Sequence, residues 1–233
     1  MKSIRYACTL ATLAALPLSV VAAPIHAQDQ TVDEGTLVIT RNGTPVGREA
    51  FRVVRTPGAG GQAYRATATL SIDTLRLALR LTTTASGAPL SFEMEVRARS
   101  VLTAQVSGSG RPERFNTLTR TPHGEAARAY VMGPDPLLLD DDVFVPYFFA
   151  VLPPTRSRFS IINPRAGSQA TFQFQERGQE SLRVGRRTEQ ARHYALITPN
   201  GASRDIWVSA KGLLLRVAIP ARGLVAQRDE LPQ

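Results

Sequence analysis

The chain has 233 residues, a formal net charge of +9, 43% hydrophobic residues and a single cysteine, Cys8. A chain of this length buries roughly 70% of its unfolded surface, so a core alone can hold it, and beyond Cys8 no thiol is left for a disulfide, a Cys-ligated metal or a Cys nucleophile. The arginines are spread without basic runs or interleaved aromatics, which argues against nucleic acid; the positive field suits an anionic envelope component or reflects an arginine-rich codon bias.

The first residues have the order of a secretory signal. Lys2 and Arg5 precede an uncharged, largely apolar stretch from Tyr6 to Val21, and small residues lead to Ala27. The apolar run is short for a membrane span, which needs roughly 20 residues. Cleavage after Ala27 is expected, so that 1–27 is the signal and 28–233 one domain, periplasmic or secreted. Loss of Lys2 and Arg5 takes the charge from +9 to +7 and leaves Lys211 as the only lysine. Cys8 stands at the start of the apolar core rather than after it, which does not fit a lipoprotein.

From Gly35 onward apolar and polar residues alternate. Tyr64, Ala66, Ala68, Leu70 and Ile72 form one row against Arg65, Thr67, Thr69, Ser71 and Asp73. Leu75, Leu77, Leu79 and Leu81 repeat the pattern, as do Phe92, Met94, Val96 and Ala98. A strand turns successive side chains to opposite faces, so these runs predict sheets packed on one side and wet on the other. Asn42-Gly43 suits a tight hairpin because both residues tolerate positive φ. Strands are predicted near 35–42, 46–56, 62–73, 75–85, 89–99, 101–108, 113–121 and 125–132. They resume near 157–163, 169–177, 181–187, 191–198, 203–210 and 213–220. The fold class expected is mainly β: a single antiparallel curved sheet, a half-barrel or open barrel, with one short apolar helix or lid.

That lid is the interruption between the two series. Leu137-Leu138-Leu139 is followed by Asp140-Asp141-Asp142 and then by an apolar stretch from Val143 to Leu152. Asp142 is a candidate helix cap, and Pro146 suits a helix start. Phe144, Tyr147, Phe148 and Val151 recur at helical spacing in a stretch that is apolar all round, which implies burial.

Catalytic patterns are scarce. Within the domain His123 and His193 are isolated, with no metal-ligand spacing, so no metal or other cofactor is expected. The three aspartates lack the calcium-loop pattern and suit helix capping better. Glu93 and Glu95 share a strand face with Arg97 and Arg99, as on a solvated sheet. No catalytic residue is assigned. Trp207, the only tryptophan, lies on the strand face opposite Ile206 and Val208 and is either a ligand-facing or a cross-strand packing aromatic.

Three stretches carry a family resemblance. They are Gly35 to Glu49 with Gly43-Thr44-Pro45-Val46-Gly47 at its turn, Gly87-Ala88-Pro89-Leu90-Ser91-Phe92, and Arg204-Asp205-Ile206-Trp207-Val208 with Lys211 to Val217. The chain resembles uncharacterised bacterial envelope proteins of the DUF3108 or DUF6134 type. The resemblance implies an exported antiparallel half-barrel similar to the lipoprotein carriers LolA and LolB, without LolB's lipoprotein cysteine, and it carries over no catalytic residues.

The function expected is binding or carriage of an apolar, lipid-like ligand in the envelope, with Phe144, Tyr147, Phe148 and Trp207 as lining residues. An alternative is an interaction subunit of an envelope complex with a protein partner. A weaker one is an enzyme on envelope glycans or lipids, which needs Asp205, His193 or residues 140–142 gathered in one pocket. An outer-membrane barrel fits least, because no aromatic strand ends the chain.

Overall fold

The alternating runs join into one fifteen-stranded sheet in a computed structural model that describes residues 29–58, 61–153 and 156–232. The expected signal, 1–27, lies outside those residues. The first meander comprises β1 (Gln30–Arg41), β2 (Thr44–Gly58), β3 (Gly61–Ile72), β4 (Leu75–Thr84), β5 (Pro89–Ala98), β6 (Val101–Arg111), β7 (Arg114–Thr121) and β8 (Gly124–Val131). A short β9 (Pro136–Leu138) and a 3-10 helix (Val145–Val151) follow. The second meander comprises β10 (Arg158–Asn163), β11 (Ser168–Val184), β12 (Arg187–Ile197), β13 (Ser203–Ser209), β14 (Leu214–Ile219) and β15 (Leu224–Arg228). Strand β15 returns to pair antiparallel with β1, which fuses the two meanders into a single sheet.

Among the described residues only β9 runs parallel to its neighbour, β10. The two ends of the strand order among the described residues, β8 and β9, are not paired, so the sheet curls without closing. The end of β8 meets the start of β11, where Gln169 Nε2 donates to the Val131 carbonyl at 2.6 Å.

Parity decides the two faces. Leu37 and Ile39, Phe51 and Val53, Ala66 to Leu70, Leu77 to Leu81, and Phe92 to Val96 line the inside at every second position. Phe172, Phe174, Leu196, Ile206, Val208 and Val217 continue that lining in the second meander. Burying each large side chain contributes about 1.5–3 kcal/mol, so one continuous inner face supplies most of the stability. The first turn is as expected, with Asn42 at φ 50° and Gly43 at φ 83°.

Three details differ from the expected strands. The separate pieces 169–177 and 181–187 are one strand, β11, with a bulge between Glu176 and Gly178. Residues 175–181 are exposed on both faces there, so the apolar signal lapses while the backbone pairing continues. The bulge bends the hairpin, and Leu182 and Val184 pack on the outer side with Ala191, Trp207, Leu215 and Ala218. Strands β9 and β15 were hidden, the first inside the leucine run and the second by its brevity.

Candidate functional site

The segment that interrupts the sheet fills its concave face. Leu137, Leu138, Leu139, Val143, Phe144, Val145, Tyr147, Phe148, Phe149 and Ala150 are all buried. Phe148 and Phe149 meet edge to face at 5.5 Å between ring centres, and each stands 6.2 Å from Tyr64 of β3. Three of the four expected lining residues, Phe144, Tyr147 and Phe148, therefore lie together in the interior. The Tyr147 hydroxyl is buried near Arg204, and burial pushes its ionisation well above the ordinary phenol range.

Aspartate does not cap the helix. Phe144 occupies the cap position without a side-chain bond of its own, and the cap comes from Glu49 on β2. Glu49 Oε2 accepts the Phe144 N–H and Oε1 accepts the Val145 N–H, both at 2.7 Å. These are orphan donors of the first helical turn, and a neighbouring strand satisfies them. Glu49 is fully buried, and desolvation raises its pKa from 4.5 to about 7 against the lowering effect of the two N–H groups.

The three aspartates face arginines instead. Arg165 grips Asp140 through Nε at 2.7 Å and Nη2 at 2.6 Å, and Nη2 also reaches Asp142 at 2.5 Å. Arg204 on β13 holds Asp141 through Nε at 2.8 Å and Nη2 at 2.9 Å. Arg222 reaches Asp142 at 2.7 Å and donates to the Asp141 carbonyl at 2.9 Å. Burial alone would raise Asp142, but the bonds and charges of Arg165 and Arg222 outweigh it and hold its pKa below the usual carboxylate range. The Arg204 guanidinium also lies 5.0 Å over the Phe172 ring. Two-pronged arginine–carboxylate pairs are directional as well as strong. Together with Arg222 they bind the front of the insert to three separate parts of the second meander.

A second buried pair lies near the opposite end of β1. Arg228 and Asp33 are fully buried and 2.5 Å apart. Arg228 also donates to the carbonyls of Leu214 at 2.7 Å and Glu34 at 2.9 Å, and Asp33 accepts the Leu214 N–H at 2.8 Å. The pair ties β1, β14 and β15 together. A Cβ on Gly35 would stand 2.7 Å from Arg228 Nη1, so the bare glycine leaves room for the guanidinium.

Trp207 lies apart from the other expected lining residues, in the outer cluster. His193 stacks on it at 4.3 Å, and Arg216 stands 4.8 Å over its ring. Its indole N–H donates to Glu180. His193 meets Asp205 at 3.0 Å, but Asp140, Asp141 and Asp142 are engaged elsewhere by Arg165, Arg204 and Arg222. Glu93 pairs with Arg80 and Glu95 with Arg97 on the exposed outer face, beside a shallow groove of about 360 Å³. His123 is exposed in a turn. Among the described residues no group of three or more His, Cys, Asp or Glu is arranged to hold a metal ion.

Sequence reasoning missed Glu49, Asp33, Arg204 and Arg228 as site residues, yet a signal for them existed. Each stands in phase with an apolar row: Glu49 with Phe51 and Val53, Asp33 with Leu37 and Ile39, Arg204 with Ile206 and Val208, Arg228 with Leu224 and Ala226. A charge on the inward parity has to find a partner.

Residues 152–227 match the family model described as "Domain of unknown function (DUF6134)". The match begins where the insert ends and reaches into β15, so it includes Arg165, Arg204 and Arg222 but not Glu49 or the three aspartates. No curated protein and no solved structure matches the chain significantly.

Proposed function

We propose that the protein is exported to the cell envelope and there binds or carries an apolar, lipid-like ligand without catalysing a reaction, in the manner of LolA- and LolB-type half-barrels. The observation that carries this reading is how the insert is held. Residues 143–152 add no strand to the sheet, yet they occupy its apolar inner face. Their polar fastenings are few and lie at the front: the Glu49 carboxylate and the arginines that grip the preceding aspartates. Such a segment can leave without breaking a strand ladder, and the apolar surface it vacates suits an acyl chain.

Lipid extraction and mass spectrometry of protein purified without detergent from the producing cells test the reading. The expected result is an acyl-bearing molecule in near-stoichiometric amount. Ligand-free protein that also takes up no apolar dye when Phe148 is truncated to Ala would overturn it. Cell fractionation with mass measurement of the mature N-terminus tests export and the cut after Ala27.

An interaction subunit is the second reading, and the edge of the sheet favours it. Among the described residues no strand pairs with β8 on its outer side, and Val131 at its end is 64% exposed. One stoichiometric partner crosslinked in intact cells would support this reading over a carrier.

A further inference from the structure

Resting on the carrier reading, we propose that the ligand is an anionic amphiphile, with Arg165, Arg204 and Arg222 as the site for its phosphate or carboxylate head. In the present state Asp140, Asp141 and Asp142 fill that site. The insert thus has the order of such a ligand, an acidic head followed by an apolar tail, and it occupies both halves of the site at once.

The residues support this in three ways. First, the arginines come from separate places, the β10–β11 turn, β13 and the turn before β15, and they converge on one acidic triplet. Three arginines against three carboxylates leave the head of the insert neutral. If the insert swings out alone, all three guanidiniums lose their aspartate partners together, and those of Arg165 and Arg204 are partly buried. Unpaired buried charge is costly, so an anion that enters as the aspartates leave makes exchange far easier than simple opening.

Second, Arg204 joins the two halves. It shares the inward parity of β13 with Ile206 and Val208, and its guanidinium lies over Phe172 on the apolar floor. A head group held there has its tail directed along that floor. Third, Arg165 and Arg204 each offer a planar fork already in two-pronged contact with carboxylate oxygens. A phosphate monoester or carboxylate presents the same spacing of acceptors.

Fluorescent phosphatidate, the uncharged diacylglycerol with the same chains, and inorganic phosphate as a competitor form the test set, used with the full mature chain at about 0.15 M salt. Phosphatidate is expected to bind about tenfold more tightly than diacylglycerol, and Arg204→Gln is expected to remove that preference. Asp141→Asn, which frees Arg204 without touching the floor, is expected to tighten phosphatidate about threefold and leave diacylglycerol unchanged. If Arg204→Gln does not fold, the Asp141→Asn result decides.

Equal binding of the two lipids, unchanged by either substitution, overturns the head-group site while the carrier reading stands. Failure of both lipids to bind, in the parent and in Asp141→Asn, overturns the carrier reading and this inference together. Inorganic phosphate that binds as tightly as phosphatidate shows a free-anion site and also overturns the inference.

Discussion

Glu49 and Phe144 stand 95 positions apart in the chain, yet the carboxylate of the first accepts the backbone N–H of the second at 2.7 Å. A strand of the first meander thereby caps the helix of the insert, and its buried acid is lifted to about 7. Between its ordinary 4.5 and about 7 the folded protein holds a proton on Glu49 that the unfolded chain has released. The resulting stability is complete below the unfolded value and is lost as pH rises through the folded one. At about 1.4 kcal/mol per pH unit the loss amounts to about 3 kcal/mol. Glu49→Gln cannot titrate. Urea unfolding from pH 4.5 to 8 is therefore expected to show parental stability falling by that amount relative to the variant, and a constant difference between the two would contradict the assignment.

Asp33→Asn leaves Arg228 charged, buried and without its counter-ion. The expected cost is about 3–5 kcal/mol in denaturant unfolding. Gly35→Ala displaces the same guanidinium by sterics and should cost about 1–3 kcal/mol. Because both act on one group, the double variant should lose less than the sum of the two. Strict additivity would show that the residues do not act through Arg228.

Trp207 is the only tryptophan, so its fluorescence reports on the outer cluster alone. Leu182→Ala removes packing beside the indole and should cost about 2 kcal/mol or more while shifting emission to the red. Phe148→Ala, on the inner side of the sheet, should leave the emission maximum in place. A red shift in both variants would mean that the two clusters do not behave as separate units.

Phe148→Ala removes a ring that meets Phe149 and Tyr64 inside the trough. A stability loss of about 3–5 kcal/mol is expected, typical of a phenylalanine cavity. On the carrier reading the same variant should take up an apolar, environment-sensitive dye at least as well as the parent. Loss of stability with no dye uptake in either protein would reduce the insert to ordinary core.

Parity made most of the sheet legible in advance. The rows from Tyr64 to Ile72 and from Phe92 to Val96 are the inner lining, and Asn42-Gly43 is the turn its chemistry requires. The reading failed where neither face was buried, as at 175–181, and where a strand was too short to show a period, as at β9. Asp142 misled for a different reason. A cap is a local device only when no distant residue reaches the helix end first, and Glu49 does so from another strand.

By itself the amino-acid order determined the strand-forming pattern, its two faces and the apolar insert, because these depend on spacing along the chain and on the cost of leaving oily groups in water. Tertiary structure alone decided what the charged residues do. Partnerships such as Arg204 with Asp141, or Arg228 with Asp33, depend on the path of the folded backbone, which brings groups 63 and 195 positions apart within hydrogen-bond reach. The return of β15 to β1 is of the same kind, since pairing across the length of a chain leaves no periodic trace in either strand.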